Sequence, residues 1–121
     1  MKYGILRIGT RGSVRCVALD RNVVGLDYIG LLLSENDRRK YKKIDFRLYG
    51  IGYRAVWVGS EGRKINSVME KFLRECIGIT GEIDIRGVCL LLKLENGGLL
   101  YGINEELLED ISSMIEGYAN R

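Results

Sequence analysis

Apolar residues recur along the chain with two periods, and where each period holds predicts the local element. Tyr3–Ile8 and Val14–Leu19 are short and β-rich, and Gly9-Thr10-Arg11-Gly12-Ser13 joins them. This predicts a hairpin, with Arg7, Arg11 and Arg15 on or beside it. Val23–Leu33 is mostly apolar, and Leu26, Ile29 and Leu33 have helical spacing. A helix is expected there, although Gly25 and Gly30 each cost it roughly 1 kcal/mol. Ile44, Phe46 and Leu48 alternate with Asp45, Arg47 and Tyr49, as a strand does. Gly50-Ile51-Gly52 interrupts the pattern, and Tyr53–Val58 resumes as a strand carrying the single tryptophan, Trp57. Gly59-Ser60-Glu61-Gly62 then reads as a turn.

The second half begins with the clearest helix, Ser67–Ile77. Ser67 and Glu70 have the spacing of a capping box. Val68, Met69, Phe72, Leu73, Cys76 and Ile77 form its apolar face, and Gly78 stands where a left-handed C-cap is expected. Ile83 and Ile85 alternate with charge in Glu82–Arg86, which predicts a half-exposed strand. Val88–Leu94 is nearly continuous and apolar, as a strand buried on both faces would be. Asn96-Gly97-Gly98 predicts a tight turn, and Leu99–Ile103 its returning strand. Asn104 caps a last helix with Glu105 and Glu106 in its first turn. Leu107, Leu108, Ile111, Met114, Ile115 and Tyr118 form its stripe.

These elements predict an α+β fold over residues 1–121 as a single domain. An antiparallel sheet from β-hairpins and a C-terminal meander is packed by two or three amphipathic helices. From residue 26 the order is helix, two strands, helix, meander, helix. This order resembles the Roadblock-like and longin-like families. "YRAVWVGSEGRKI" (53–65) looks like the first hairpin of a Roadblock domain, and residues 86–117 are similar to its last two strands and helix. The resemblance implies a central sheet between helices, and a non-catalytic module that dimerises and scaffolds other proteins. The N-terminal hairpin is an addition to that pattern.

Composition narrows the chemistry. The 121 residues include no His and no Pro, and Gln is also missing. Without His, the usual general base and commonest metal ligand, neither a Ser/His or Cys/His nucleophile nor a His-ligated zinc site can be assembled. No cofactor and no metal is expected. Cys16, Cys76 and Cys89 are widely spaced with no CxxC, so each is expected as a small buried hydrophobe. The Gly9/Gly12 and Gly50/Gly52 pairs match no phosphate-loop pattern and read as turns. Glu82 with Asp84 is the one carboxylate pair placed on a common strand face, and a solvent-facing edge explains it as well. The longest apolar run, Val88–Leu92, is far short of the roughly 20 residues a membrane span needs. No export signal is visible, so a cytoplasmic location is expected. Missing Gln with 29% charged residues resembles thermophile usage and suggests an archaeal or viral source, although zero Pro runs against it.

Charge is divided along the chain. Residues 1–64 hold fourteen Lys/Arg against six Asp/Glu, and residues 65–121 hold five against ten. The densest feature is Arg38-Arg39-Lys40-Tyr41-Lys42-Lys43. With Arg47 and Arg54, it is the candidate surface for an acidic protein partner or for DNA or RNA. Arg63 and Lys64 are possible extensions, and Tyr41, Tyr49 and Tyr53 are candidates for stacking on bases. The leading expectation is a non-enzymatic interaction or assembly module that forms a homo-oligomer and does not engage a membrane. Nucleic-acid binding through 38–43 is the alternative.

Overall fold

The computed structural model describes residues 3–59 and 62–119. Seven strands form one antiparallel sheet: β1 (Tyr3–Ile8), β2 (Val14–Leu19), β3 (Tyr41–Leu48), β4 (Ile51–Val58), β5 (Cys89–Leu94), β6 (Leu100–Tyr101) and β7 (Ile103–Asn104). The main path is β2-β1-β5-β4-β3, with β6 beside β5 and β7 beside β1. The helices are α1 (Leu26–Leu33), α2 (Ser67–Lys71) and α3 (Glu105–Ala119). The expected α+β architecture is present.

The sheet has an apolar layer on each side. Leu6, Ile8, Tyr53, Ala55, Trp57, Cys89 and Leu91 meet α2 and α3 on one face. Ile5, Val56, Val58, Leu90 and Leu92 meet Ile29 and Leu33 of α1 on the other. Alternation in β5 sends Cys89 and Leu91 one way and Leu90 and Leu92 the other, and all four are fully buried. The apolar run of β5 is therefore the spine of both layers, as its sequence predicted.

Several elements differ from expectation. The N-terminal hairpin is integral to the sheet: β1 lies inside it, between β2 and β5. Residues 82–86 are not a strand. Ile83 and Ile85 are buried, but Arg86 makes only an isolated bridge with Ile65. Their alternation comes from a loop laid against the α2 side of the core. The C-terminal segment is not a simple meander, because Ile103 and Asn104 leave β5 and pair with Gly4 and Tyr3. The first helix starts at Leu26, since Val23 bridges Tyr101 instead. The third strand starts at Tyr41 rather than Ile44, three residues earlier.

The central helix also differs. Its cap is Asn66, whose Oδ1 accepts the Met69 amide at 3.2 Å. Glu70 does not reach back to complete a box with Ser67. Its carboxylate accepts from the Ile85 amide at 3.1 Å and tethers the 79–87 loop. After Lys71 the helix widens into a π-turn over Phe72–Ile77 and ends at Gly78 with φ 87°. The left-handed C-cap stands as predicted. Cys76 is exposed on that turn, and Cys16 on β2 is exposed too. Only Cys89 is the buried hydrophobe expected, and complete burial pushes its thiol up to about 12.

Candidate functional site

The basic segment is not the tail of α1. Ser34 closes that helix in the left-handed conformation. Asp37 then caps a single 3₁₀ turn, Arg38–Lys40, by accepting the Arg39 amide at 3.0 Å. Tyr41 enters the edge strand β3, whose outer side pairs with nothing in the sheet. Its hydroxyl donates to the Glu35 carbonyl at 2.6 Å. That closure requires Gly30, because a Cβ there would lie 2.5 Å from Tyr41 Oη and 2.7 Å from the Glu35 carbonyl. The helix-breaking cost at Gly30 is thus offset by the docking of the 3₁₀ turn.

Three cations of the segment already have partners. Arg38 pairs with Asp27, Arg39 with Asp37 at 3.0 Å, and Lys40 with Glu35 at 3.6 Å. The backbone bond from Asp37 and the neighbouring Lys40 hold the Glu35 carboxyl below its ordinary range. Hydrogen bonds from the Arg39 side chain and amide do the same for Asp37. Arg54 stands opposite Asp45 across β3–β4 and donates to both its oxygens, at 2.6 and 2.9 Å. This paired geometry lowers the Asp45 carboxyl and raises the Arg54 guanidinium. Of the expected surface, Lys42, Lys43 and Arg47 make no ion pair among the described residues. Lys42 and Lys43 are neighbours on a strand, so they face opposite sides of the sheet.

The tyrosines divide as well. Tyr53 is 1% exposed and stacks on Phe46 at 5.7 Å, so it is core and cannot receive a base. Tyr41 is spent on Glu35. Tyr49 is 83% exposed at the β3–β4 turn, where it and Gly50 take φ 53° and 80°. That turn borders a shallow cavity of about 430 Å³ lined by Arg47, Gly52, Lys93 and Glu95 among others. Its lysine is engaged with Glu95 at 3.0 Å. Glu82 and Asp84 do not share a strand face, and Asp84 accepts from Arg86 at 2.9 Å. Among the described residues, no group of three or more Cys, Asp or Glu is placed to hold a metal ion. No helix among the described residues is long and apolar enough to cross a membrane.

Two surfaces went unread in the sequence. Arg7 and Arg15 are direct cross-strand partners in β1–β2. Alternation places both on the α1 side, because Ile5 and Val17 belong to that layer. Neither makes an ion pair among the described residues. On the opposite face, α3 carries Glu105, Glu106, Glu109, Asp110 and Glu116 with no Lys or Arg. All five are exposed. The period-two pattern of the hairpin was the signal for the arginine pair. No family model, curated protein or solved structure matches the chain.

Proposed function

We propose that this chain is a non-enzymatic interaction and assembly module that associates with itself. The observation that supports this most is the placement of unanswered charge on opposite faces. Carboxylates of α3 cover the outside of one layer, and arginines that make no ion pair among the described residues lie on the other side of the sheet. Complementary fields of this kind steer association and fix its orientation. A central antiparallel sheet between helices also accords with the Roadblock-like and longin-like resemblance, which implies a dimerising scaffold.

Nucleic-acid binding through 38–43 draws on fewer free charges than the sequence suggests, because Arg38, Arg39, Lys40 and Arg54 are already paired. Sedimentation velocity across a concentration series, at low and high salt, tests the assembly reading. Concentration-dependent oligomers that dissociate in high salt are expected. A monomer throughout, together with tight DNA or RNA binding at physiological salt, would reverse the two readings.

A further inference from the structure

We infer that copies of this chain associate head to tail, with the α3 carboxylates of one copy seated against the Arg7–Arg15 pair of the next. This rests on the self-associating reading above and names its two surfaces.

The arginine pair is electrostatically incomplete. Like charges directly opposite on neighbouring strands destabilise a sheet. Arg7 is moreover half-buried, with Arg15 opposite it on one side and the fully buried Leu90 on the other. Elsewhere in the same sheet the corresponding problem is solved inside the chain, where Asp45 answers Arg54 across the ladder. No acid answers Arg7 or Arg15 among the described residues. Arg11 in the hairpin loop and Arg21 just beyond β2 are also exposed, with Asp20 exposed beside Arg21.

A row of carboxylates is present on α3, and it is displayed away from its own copy's arginines. α3 buries Leu108, Ile111 and Ile115 on the sheet face opposite the arginines and turns its carboxylates outward. Its N-terminal end lies near β2, since Glu105 acts on the Cys16 thiol, and at its C-terminal end Ala119 approaches Gly12 of the hairpin loop. Donor and acceptor surfaces therefore lie on opposite sides of one hairpin, and a chain cannot satisfy itself.

Symmetry separates the possible modes. Antiparallel pairing of two β2 edges about a two-fold axis normal to the sheet would set like faces side by side, with one α3 beside the other. A two-fold axis along the strands would bring each arginine face to the other copy's α3 but would close at a dimer. A heterologous contact instead leaves one surface free on each copy and grows into rings or open chains. Growth beyond a dimer is therefore the mark of the head-to-tail contact, and a closed dimer overturns it.

The full-length chain and two variants test this by sedimentation velocity, with melting curves as the check on folding. Arg7→Gln/Arg15→Gln removes the arginine pair, and Glu109→Gln/Asp110→Asn/Glu116→Gln removes the three carboxylates beyond the first turn of α3. The wild type is expected to grow beyond a dimer. Each variant alone is expected to associate at least about tenfold more weakly, a typical loss when close charge pairs are broken. Mixed in equal amounts, they should form a 1:1 complex that grows no further, because each retains the surface the other lacks. Arg15→Gln alone, at an exposed position, replaces the double variant if Arg7→Gln lowers the melting temperature. Variants that assemble like the wild type, or a mixture that forms no complex, would overturn the head-to-tail contact and leave self-association standing. A wild type that stays monomeric at every concentration and salt overturns both.

Discussion

Asn66 joins three separate stretches of backbone from a fully buried position. Its side-chain amide donates to the Ile8 carbonyl at 3.1 Å and the Gly87 carbonyl at 2.9 Å, while its oxygen caps α2. Asn66→Ala leaves two carbonyls and one amide unanswered in the core. Urea unfolding should show a loss of roughly 3–5 kcal/mol, since each orphaned buried group costs about 1–3. Ser67→Ala, at the exposed position the sequence favoured for the cap, should stay within about 0.5 kcal/mol. A large loss at Ser67 and a small one at Asn66 would contradict the observed cap. Asp45 supplies the acid-side prediction. Arg54 depresses its folded value, so the pair stabilises the protein above the ordinary Asp value of about 3.9. That contribution disappears as pH falls through the lower folded value. Thermal melts from pH 6 downward should therefore show a smaller acid-side loss in Asp45→Asn than in the wild type.

Elements whose pattern reflects their own burial were readable from the sequence, and those that answer to distant neighbours were not. The hairpin β1–β2, the buried strand β5 and the stripe of α3 each state their environment in local periodicity, and each lies where expected. Glu82–Arg86 carries the same alternation, yet its isoleucines plug the α2 layer from a loop, because the Glu70 carboxylate accepts from the Ile85 amide and the Arg63 carbonyl accepts from Arg86, which ties that loop down from outside the segment. The position of β1 within the sheet depends on pairing with β5, more than eighty residues later in the chain, which no window of residues reveals. The basic segment was legible as charge but not as charge already spent, because Asp27, Glu35 and Asp37 stand upstream of it and meet it only through the 3₁₀ turn. Ile111→Ala tests the most legible element. Ile111 is 2% exposed, and its truncation should cost roughly 2–4 kcal/mol in chemical unfolding. Unchanged stability would mean that the stripe of α3 faces outward. Gly30→Ala tests the least legible one. An exposed helical Gly→Ala change gains about 1 kcal/mol. Here the new methyl would push against Tyr41 Oη and the Glu35 carbonyl, so a net loss is expected in the same assay.

At the scale of the molecule, the distribution of charge matters more than its sum. The net charge of +3 conceals an acidic helix on one side of the sheet and, on the other, the Arg7–Arg15 pair, which makes no ion pair among the described residues. A polyanion approaching the basic segment finds Lys42, Lys43 and Arg47 along the β3 edge, while Arg38, Arg39 and Lys40 remain engaged by carboxylates of the chain. Lysines on an edge strand also discourage another strand from pairing there, which explains Lys42 and Lys43 without any ligand. Counterion release assigns each phosphate contact a log–log salt slope of about −0.9, so free and spent cations are separable by experiment. Whatever affinity the wild type shows for duplex DNA or RNA should weaken steeply with salt. Lys42→Gln/Lys43→Gln should remove as much slope as the replacement of all five cations of the segment. Arg38→Gln/Arg39→Gln/Lys40→Gln should change the slope little, since those side chains would have to abandon Asp27, Asp37 and Glu35 to reach phosphate. A slope that instead falls by nearly one unit for each of the five would mean that the ion pairs open on binding, and would restore the segment as a nucleic-acid surface.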